Sequence, residues 1–464
     1  MLSAELAFSS IAQLRDLYRE RKVSPTEVAE SLLERVSRVD ALLNSYATVL
    51  RDGLRQQAAT AERELMRGGP LGALHGIPLS IKDNLATAGV RTAAGSRALA
   101  AWVPERDADC VSSLREHGAL IAGKTNMFEF AFGEAHDDYG HVRNPWKLDR
   151  ATAGSSTGSV AAVAAGLCWG SLASDTGGSI RVPAAMCGVV GLKPTYDVIS
   201  RRGLVETSPS LDHIGPIARG VEDTAVVFDA LTAGECAGAL EHGVNGMRIA
   251  VARAQPGELI DPQVRAAFES ACAALDRQGA SLREVDIPDF RIARAVLWAI
   301  ASVEAADLHR ERLRRSAADY HPVVRARLEA GARIPGHAYV RAQRVRLWLV
   351  RELDRTLAES AALLLPVSPI TAYPLGARRV NVDGHEEDVG QAVTRYTPLA
   401  SVTGRPAVAL PCGLSSDGLP IAFQVLGHQR DEATVLRIAR AYERVADWQP
   451  RHPVATLDAA LAAG

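Results

Sequence analysis

The chain has 464 residues, of which 47% are hydrophobic, 23% charged and 5% aromatic. This composition is ordinary for a globular α/β enzyme and excludes a disordered chain or a fibre. Lys and Arg number 52 against 54 Asp and Glu, so there is no overall basic charge to hold a polyanion, and we expect no nucleic-acid partner. The length allows two or three average domains or one large α/β domain with insertions.

The first half of the chain begins with helices and continues with short strands. Helical periodicity extends to about residue 65, and Ser24-Pro25-Thr26-Glu27 predicts a helix start with a hydroxyl N-cap, proline at the first position and a carboxylate at the third. Over 66–240 the pattern changes to apolar strands, helices and turns rich in Gly and Ser.

The second half places a helical block between strand-rich parts. Residues 247–290 predict a strand, a helix and a strand, and charged amphipathic helices follow over 291–360. Strand-like runs then return before a closing helix from Asp431. Because strands lie on both sides of the helical block, we predict one α/β domain over 1–464 with an embedded helical region.

Cysteine and hydropathy patterns indicate the compartment. The six cysteines form no C-x-x-C pair and have no histidine at metal-ligand spacing, so we expect reduced, mostly buried thiols, no metal and no other cofactor. The N-terminus does not resemble a secretory leader. The longest apolar run, from Val160, is far shorter than the roughly 20 residues of a membrane span. We therefore expect a cytoplasmic protein without membrane contact.

The stretch GALIAGKT, from Gly118 to Thr125, fits the G-x-x-x-x-G-K-[ST] pattern of a phosphate-binding loop. Such a loop follows a strand and opens a helix. Here CVSSLREH, typical of a helix, comes before the pattern, and Ala-Leu-Ile-Ala inside it is typical of a buried strand. We therefore predict a core strand that ends in a polar loop, and no ATPase.

The stretch Gly154-Ser155-Ser156-Thr157-Gly158 fits the G-x-S-x-G nucleophile elbow with Ser156 at its centre. An elbow needs an apolar strand directly before it. The preceding NPWKLDRATA is polar and is predicted to be irregular, so Ser156 is not favoured as a nucleophile. The 12 histidines are mostly isolated, in turns or beside charges, and each is expected to be solvated or satisfied in the core.

Two Ser/Gly clusters, AGSSTGS over 153–159 and SDTGGSIRVP over 174–183, are joined by a segment that we predict to be a small-residue helix. Glycine at this density suits backbone that approaches a ligand. In the second cluster, successive N–H groups can converge beside the Ser179 hydroxyl, as an oxyanion hole requires. A glycine-rich turn with a polar end fits this cluster alone equally well.

A nucleophilic serine needs a base, and Lys82 is the candidate. It ends the strand-like GIPLSIKDN, in which Ile77, Leu79 and Ile81 alternate with smaller residues. A lysine at that position either extends to solvent or is buried with a lowered pKa. Taken alone, solvent exposure is the default interpretation.

Five blocks resemble the amidase signature family, hydrolases with a Ser-cisSer-Lys triad. In chain order they are GIPLSIKDN, GALIAGKTNMFEFA, AGSSTGS, SDTGGSIRVPAAMCGVVGLKPT and SLDHIGPIAR. The similarity runs from about Leu74 to Leu231 and resumes in SVTGRPAVALPCG near the C-terminus. It implies an α/β fold with a large mixed β-sheet surrounded by helices, and hydrolysis of a carboxylic amide, or of an ester or carbamate, through a serine acyl-enzyme without a cofactor.

The resemblance also implies roles for single residues. By position, Ser179 corresponds to the nucleophile, Ser155 to the bridging serine in a cis peptide, and Lys82 to the base. The backbone donors of the family's oxyanion hole correspond to Thr176, Gly177, Gly178 and Ser179.

Three residues flank the two serine loops and are candidates to fix them by hydrogen bonds, namely Ser156, Asp175 and Arg181. The apolar run after Arg181 favours its burial over a surface ion pair. The chain has Ala153 and Thr157 where the family commonly has glycine. This difference leaves the triad intact, and we expect it to change the first serine loop and the pocket wall, and with them the substrate.

We expect the substrate pocket to be built from Met127–Tyr139 and from residues of about 300–345, with Met127 as a candidate contact. The preferred function is a stand-alone amidase for a small-molecule amide, as a monomer or homodimer. The alternative is the glutaminase component of a glutamyl-tRNA amidotransferase, its A subunit. That component typically has an acidic residue shortly before the segment matching SVTGRPAVALP, whereas Gln391–Pro398 contains none. A phosphate-loop NTPase is the third interpretation.

Overall fold

The computed structural model describes residues 4–68, 71–232, 234–255, 257–446, 448 and 451–463. The ends of the predicted domain over 1–464, and the start of its N-terminal helical part over 1–65, lie outside the described residues. The helices are α1 (Ala4–Ala7), α2 (Ile11–Arg19), α3 (Pro25–Leu43), α4 (Arg51–Arg67), α5 (Asp109–Glu116), α6 (Thr157–Ala164), α7 (Arg181–Cys187), α8 (Val221–Thr232), α9 (Cys236–Ala239), α10 (Pro262–Arg277), α11 (Phe290–Ser316), α12 (Pro322–Gly331), α13 (Gly336–Leu357), α14 (Val389–Val393), α15 (Pro398–Thr403), α16 (Glu432–Glu443) and α17 (Val454–Ala463).

The strands are β1 (Tyr46–Val49), β2 (Pro78–Lys82), β3 (Leu120–Thr125), β4 (Arg143–Asn144), β5 (Lys147–Ala151), β6 (Gly170–Asp175), β7 (Val190–Lys193), β8 (His213–Ala218), β9 (Arg248–Ala252), β10 (Ser281–Val285), β11 (Ala362–Pro366), β12 (Arg379–Val382), β13 (His385–Asp388), β14 (Ala407–Leu414) and β15 (Pro420–Gly427). Within the described residues, eleven of them form one sheet in the order β1-β3-β2-β6-β8-β7-β14-β15-β11-β9-β10. Pairs β2–β3, β2–β6, β11–β9 and β9–β10 are parallel, and the other neighbours are antiparallel. The predicted α/β class with a large mixed sheet is confirmed.

Several local predictions are confirmed. Ser24 caps α3, its hydroxyl accepting from the Glu27 N–H while the Glu27 carboxylate accepts from the Ser24 N–H, and Pro25 is the first helical residue. The GALIAGKT stretch forms β3, which is fully buried and comes after α5. The segment over 247–290 is a β-α-β unit in which β9 and β10 are parallel.

Three local predictions were wrong. The N-terminal helical part also contains β1, which pairs with β3 at one end of the sheet. The polar stretch before Ser156 is not irregular, because β4 and β5 pair in it as a small antiparallel sheet. The segment between the two serine clusters is helical only to Ala164 and becomes strand β6 at Gly170. Small residues packed from both sides suit a buried helix and a buried strand alike, so composition alone did not separate them.

The embedded helical block, which includes α11 and α13, packs against side chains of strand β11 of the sheet. One hydrophobic cluster joins Leu297 and Ile300 of α11 and Leu349 of α13 to Leu363 and Leu365 of β11. Apolar side chains that repeat every three or four residues give each helix one buried face, which explains this packing. No helix among the described residues is both long and apolar enough to cross a bilayer.

The sheet positions the two serine loops. Strands β2 and β6 lie side by side and parallel, so their carboxyl ends, at Lys82 and Asp175, lie at the same edge of the sheet. The first serine loop leads into α6 and the second leads into α7. The lysine and both serine clusters are therefore brought to one edge of the central strands.

Candidate active site

Lys82 is fully buried at the end of β2. Its Nζ lies 2.8 Å from Ser155 Oγ, 2.9 Å from Ser174 Oγ and 3.3 Å from the Ser174 carbonyl oxygen. Burial lowers the pKa of Lys82 from its ordinary value to about 7, although the charges of Asp175 and Asp212 act in the opposite direction. With a pKa of about 7 the amine is partly neutral at neutral pH and mostly neutral above it, and a neutral amine can accept a proton.

Ser155 lies two residues before the start of α6, next to the N-cap residue Ser156. The peptide bond that joins Gly154 to Ser155 is cis. The Ser155 carbonyl accepts a hydrogen bond from the Phe128 N–H at 3.2 Å, and a Cβ on Gly154 would lie 2.2 Å from the Phe128 ring. The aromatic side chain therefore packs directly on the backbone that presents Ser155 to Lys82, and only glycine fits at position 154.

Two residues that the sequence analysis did not single out complete the surroundings of the lysine. Ser174, the last residue before Asp175, accepts a hydrogen bond at its Oγ from Asn84 Nδ2 at 2.9 Å. Its carbonyl oxygen also accepts one from Ser156 Oγ at 3.3 Å. Both residues lie within blocks that carry the family resemblance, so their positions were visible in the sequence. The contacts of Ser174 with Lys82 and with Asn84 depend on the pairing of β2 with β6, which the sequence did not reveal.

Ser179 is half-buried, in the turn between β6 and α7. Within the described residues its hydroxyl has no hydrogen-bond partner, so no direct hydrogen bond joins it to Ser155 here. The backbone N–H groups of Thr176, Gly177 and Ser179 are likewise without a partner among the described residues. Among the described residues, no protein acceptor therefore competes with a ligand oxygen for these three N–H groups.

Gly178 was predicted to be an oxyanion donor, and this role stays a prediction. Its N–H donates to Asp175 Oδ1 at 2.7 Å, and a carboxylate is a stronger acceptor than a substrate carbonyl. The Gly178 N–H therefore holds the loop in shape, and the Asp175 carboxylate also accepts from the Ile180 N–H at 3.1 Å.

Asp175 and Arg181 form a fully buried ion pair below this loop. Burial alone would raise the pKa of Asp175, but the charge and hydrogen bonds of Arg181, and then the charge of Lys193, hold that pKa below its ordinary value. The guanidinium also donates to three acceptors in the C-terminal part of the chain. They are the Thr397 carbonyl directly before α15 at 2.9 Å, Ser401 Oγ on α15 at 2.9 Å and Gln424 Oε1 on β15 at 3.0 Å. The second serine loop is thereby attached to the C-terminal part of the sheet.

Asp212 is a second buried carboxylate at the loop. It accepts from Thr176 Oγ1 at 2.6 Å and from the N–H groups of Thr207 and Ser208 at 2.8 and 3.0 Å. Burial raises the pKa of Asp212 to about 6, although these hydrogen bonds favour the charged form. The Thr176 side chain is therefore held in place by Asp212.

The embedded helical block contributes a wall next to Gly177. A Cβ on Gly177 would lie 2.7 Å from Leu297 Cδ2 on α11, and one on Gly178 would lie 2.4 Å from Thr397 Oγ1. The Thr397 hydroxyl donates to the Gly177 carbonyl at 2.7 Å. The same helix carries Glu304, which accepts hydrogen bonds from Ser208 Oγ at 2.5 Å and Ser210 Oγ at 2.7 Å.

The two departures from the family pattern have clear local environments. Ala153 has φ 54°, a left-handed conformation that glycine adopts at lower cost. Thr157 is buried and donates to the Asn126 carbonyl at 3.2 Å. Met127, the candidate substrate contact, is fully buried and packs near Gly95. Its side chain offers no exposed surface in this structure, and its contact with a substrate stays a prediction.

The lysine of the phosphate-loop pattern and the cysteines have local structural explanations. Lys124 is fully buried, and its Nζ donates to the Leu85 carbonyl at 2.7 Å and to Thr92 Oγ1 at 2.8 Å. It is thus committed to the protein rather than to a phosphate. The cysteines are free thiols, four of them buried. In the part of the chain that the structure describes, no three His, Cys, Asp or Glu side chains lie together in a way that could hold a metal ion.

Comparison with known sequences gives a consistent picture. The profile of the Amidase family matches residues 27–436. The A subunit of the glutamyl-tRNA(Gln) amidotransferase from Thermosynechococcus vestitus is 37% identical over 478 residues, covering 95% of this chain and 98% of that protein. The protein of the same name from Roseiflexus sp. is 37% identical over 483 residues, covering 96% and 98%.

Comparison with solved structures agrees. The inhibitor-bound structure of a vestigial protein complex linked to the evolutionary origins of an s-triazine catabolic enzyme has a TM-score of 0.90 at 32% identity, covering 95% of this chain and all of that one. A structure of an amidase has a TM-score of 0.88 at 34% identity, covering 94% and 100%. The A subunit of the glutamyl-tRNA(Gln) amidotransferase from Thermotoga maritima has a TM-score of 0.77 at 32% identity, covering 96% and 97%. With this fold, these serine loops and a family match over most of its length, the chain belongs to the amidase signature family.

Proposed function

We propose that the protein is a stand-alone amidase that hydrolyses a small-molecule carboxylic amide through an acyl-enzyme on Ser179. The observation that carries the proposal is the 2.8 Å contact between the buried Lys82 amine and Ser155 Oγ. A buried amine with a lowered pKa beside a hydroxyl is a general base that needs no histidine.

In the proposed reaction, Ser179 Oγ attacks the substrate carbonyl while its proton passes to Ser155, whose own proton passes to Lys82. The tetrahedral oxyanion accepts hydrogen bonds from free backbone N–H groups of Thr176, Gly177 and Ser179. The C–N bond then breaks, and the proton returns from Lys82 through Ser155 to the leaving amine. Water attacks the acyl-enzyme with the same relay, which releases the acid and restores Ser179.

The supporting residues act through geometry. Arg181 and Asp175 hold the loop, because the Asp175 carboxylate fixes the Gly178 and Ile180 N–H groups. Ser156 and Ser174 hold the backbone near Lys82. No step needs a Lewis acid or an organic cofactor, so we expect activity to survive treatment with a chelator.

The glutaminase component of an amidotransferase is the second candidate. It is favoured by relatives of that name that align over nearly their whole length. Against it, Gln391–Pro398 supplies no free acidic side chain for the amino-acid end of glutamine, and Arg395 pairs with Glu387, which precedes this segment. The TM-score is also higher for the amidase than for the solved amidotransferase component.

The test is to label the purified protein with a fluorophosphonate and to map the adduct, then to screen aryl amides, primary amides, carbamates and glutamine. We expect one adduct, on Ser179, and turnover of an amide that Ser179→Ala abolishes. Ser156→Ala is the matched control and should still be labelled at Ser179. An adduct on Ser156 would support the nucleophile elbow, and turnover restricted to glutamine would support the second candidate.

A further inference from the structure

The neutral amine of Lys82 lies beside two hydroxyls, and only one of them can donate a hydrogen bond to its lone pair. A neutral amine has one lone pair and two N–H groups. The Ser174 carbonyl can only accept, so it takes one N–H. The lone pair and the second N–H of Lys82 then remain for two hydroxyls, Ser155 Oγ at 2.8 Å and Ser174 Oγ at 2.9 Å from Nζ. One hydroxyl must donate to Lys82 and the other must accept from it.

Only one of the two arrangements allows the proposed chemistry. If Ser155 donates to the lone pair, its proton is aligned for transfer when Ser155 receives a proton from Ser179. If Ser174 donates instead, the lone pair is occupied and Ser155 keeps its proton. The Ser174 hydroxyl is therefore a competitor for the base unless its proton has another acceptor.

The other side-chain neighbour of Ser174 Oγ is the Asn84 carboxamide, with Nδ2 at 2.9 Å. Asn84 is buried, and its Oδ1 has no hydrogen-bond partner among the described residues. A carboxamide is nearly symmetric in shape, so a half-turn exchanges its oxygen and its NH2 group. No protein hydrogen bond holds Oδ1 in the described orientation. The hydrogen bond with Ser174, and with it the protons on Ser174 and Lys82, therefore selects the orientation of Asn84.

We propose that Asn84 is a positioning residue that directs the lone pair of Lys82 to Ser155 by acting through Ser174. When Lys82 is an ammonium, its three N–H groups point to the three oxygens around it and Asn84 donates to Ser174. When Lys82 is neutral, Asn84 turns its oxygen to Ser174 and accepts the hydroxyl proton. Ser174 then accepts from Lys82, and the lone pair is left to Ser155. The inference rests on the proposed function of Lys82 as the base.

The charged groups that act on Lys82 are Asp175 and Asp212. Both favour the ammonium, and neither supplies a hydrogen bond to Lys82 or Ser174 among the described residues. They influence the pKa of Lys82 but do not decide which hydroxyl donates a hydrogen bond to its lone pair. The effect of Asn84 should therefore persist at alkaline pH, where Lys82 is neutral throughout.

The experiment measures the rate of Ser179 labelling by a fluorophosphonate as a function of pH, on the full-length chain. Asn84→Ala should lower the alkaline plateau by about tenfold, the factor that one misdirected hydrogen bond is worth. Adding Ser174→Ala should recover most of that loss, because the competing hydroxyl is gone. A purely structural role for Asn84 predicts the opposite, a further loss in the double variant.

Two more variants sharpen the test. Asn84→Asp keeps an acceptor of the same size, so its plateau should exceed that of Asn84→Ala, with the acid limb moved to higher pH by the added negative charge. Asn144→Ala is the matched control, since Asn144 is also buried and its Nδ2 donates to the Ala151 and Met186 carbonyls, away from Lys82. It should leave the plateau unchanged even if it lowers the melting temperature.

A wild-type plateau in Asn84→Ala, or a double variant slower than the single one, would overturn the inference. If Asn84→Ala does not fold, the alkaline plateaus of Asn84→Asp and Ser174→Ala are compared instead. A plateau in Asn84→Asp that is about tenfold lower than that in Ser174→Ala would also overturn the inference. Failure of the proposed function would be distinct, because Ser179 would then remain unlabelled in the wild-type protein or Lys82→Ala would label at the wild-type rate.

Discussion

Arg181 Nε lies 3.1 Å from Asp175 Oδ2, and neither side chain is exposed to solvent. Arg181→Met should lower the free energy of unfolding by about 3–5 kcal/mol, because it leaves the Asp175 carboxylate buried without its countercharge. Urea unfolding measures this. The control is Arg97→Met, which removes an exposed ion pair with Asp138 and should not change the unfolding midpoint measurably. Equal midpoints for the two variants would show that the buried pair is not a structural element.

The pH dependence of acylation should follow Lys82. Its pKa is lowered to about 7 by burial, so the ammonium dominates below that pH and the neutral base above it. The labelling rate of Ser179 should therefore rise as pH increases through about 7 and level off on the alkaline side. Stopped-flow or quenched labelling across this range measures it.

Substitutions at Lys82 check the assignment. Lys82→Ala should lose several orders of magnitude in labelling rate, and Lys82→Arg should not restore it because a guanidinium stays protonated. A near-native rate in Lys82→Arg would mean that Lys82 is a structural cation. An unchanged acid limb in Lys82→Ala would show that another group, such as a histidine, is the base.

The shape of the second serine loop depends on Gly178, which has φ 132° and no room for a Cβ beside Thr397. Gly178→Ala should lower the labelling rate of Ser179 by about a hundredfold or more, the effect expected when oxyanion donors are displaced. Gly384→Ala is the matched control, because φ is also positive there, at 83°, but the space around it is open. A loss of labelling in both variants would indicate general unfolding rather than displacement of the loop.

Lys124 separates the amidase from the NTPase interpretation. Its buried Nζ lies 3.7 Å from Asp83 Oδ1, so Lys124→Ala should destabilise the protein by about 3 kcal/mol or more through an unpaired buried carboxylate. MgATP should leave the melting temperature of the wild-type protein unchanged. Tight, Mg²⁺-dependent ATP binding that disappears in the variant would contradict this expectation.

The order of chemical blocks in the sequence was enough to predict the family and the α/β class, and it singled out Lys82 and Ser155, whose side chains lie 2.8 Å apart. What sequence could not supply is the side-to-side order of strands. Ser174 reaches Lys82 only because β6 pairs with β2, and such pairings join residues far apart in sequence. The same reason explains why Asn84 went unnoticed although it is two residues from Lys82.

The hydrogen bond of the Gly178 N–H illustrates a second limit. A run of small residues indicates that backbone N–H groups are accessible, but not where each one points. In the folded chain the Asp175 carboxylate accepts a hydrogen bond from the Gly178 N–H, and this depends on the side-chain position of Asp175, which Arg181 fixes.

The strand β1 was missed because it has only four residues between two long helices. So short a stretch does not show the alternation by which a strand is recognised.

Leu297 packs against Gly177 from α11, whereas the lysine and both serines come from the sheet edge and the loops that follow it. If the proposed function holds, we expect reactivity and selectivity to be encoded in separate stretches of the gene. Changes along α11 can alter which acyl group fits beside the loop while the proton relay stays as it is. An engineer seeking a new amide substrate for this protein would therefore start from the face of α11 that carries Leu297.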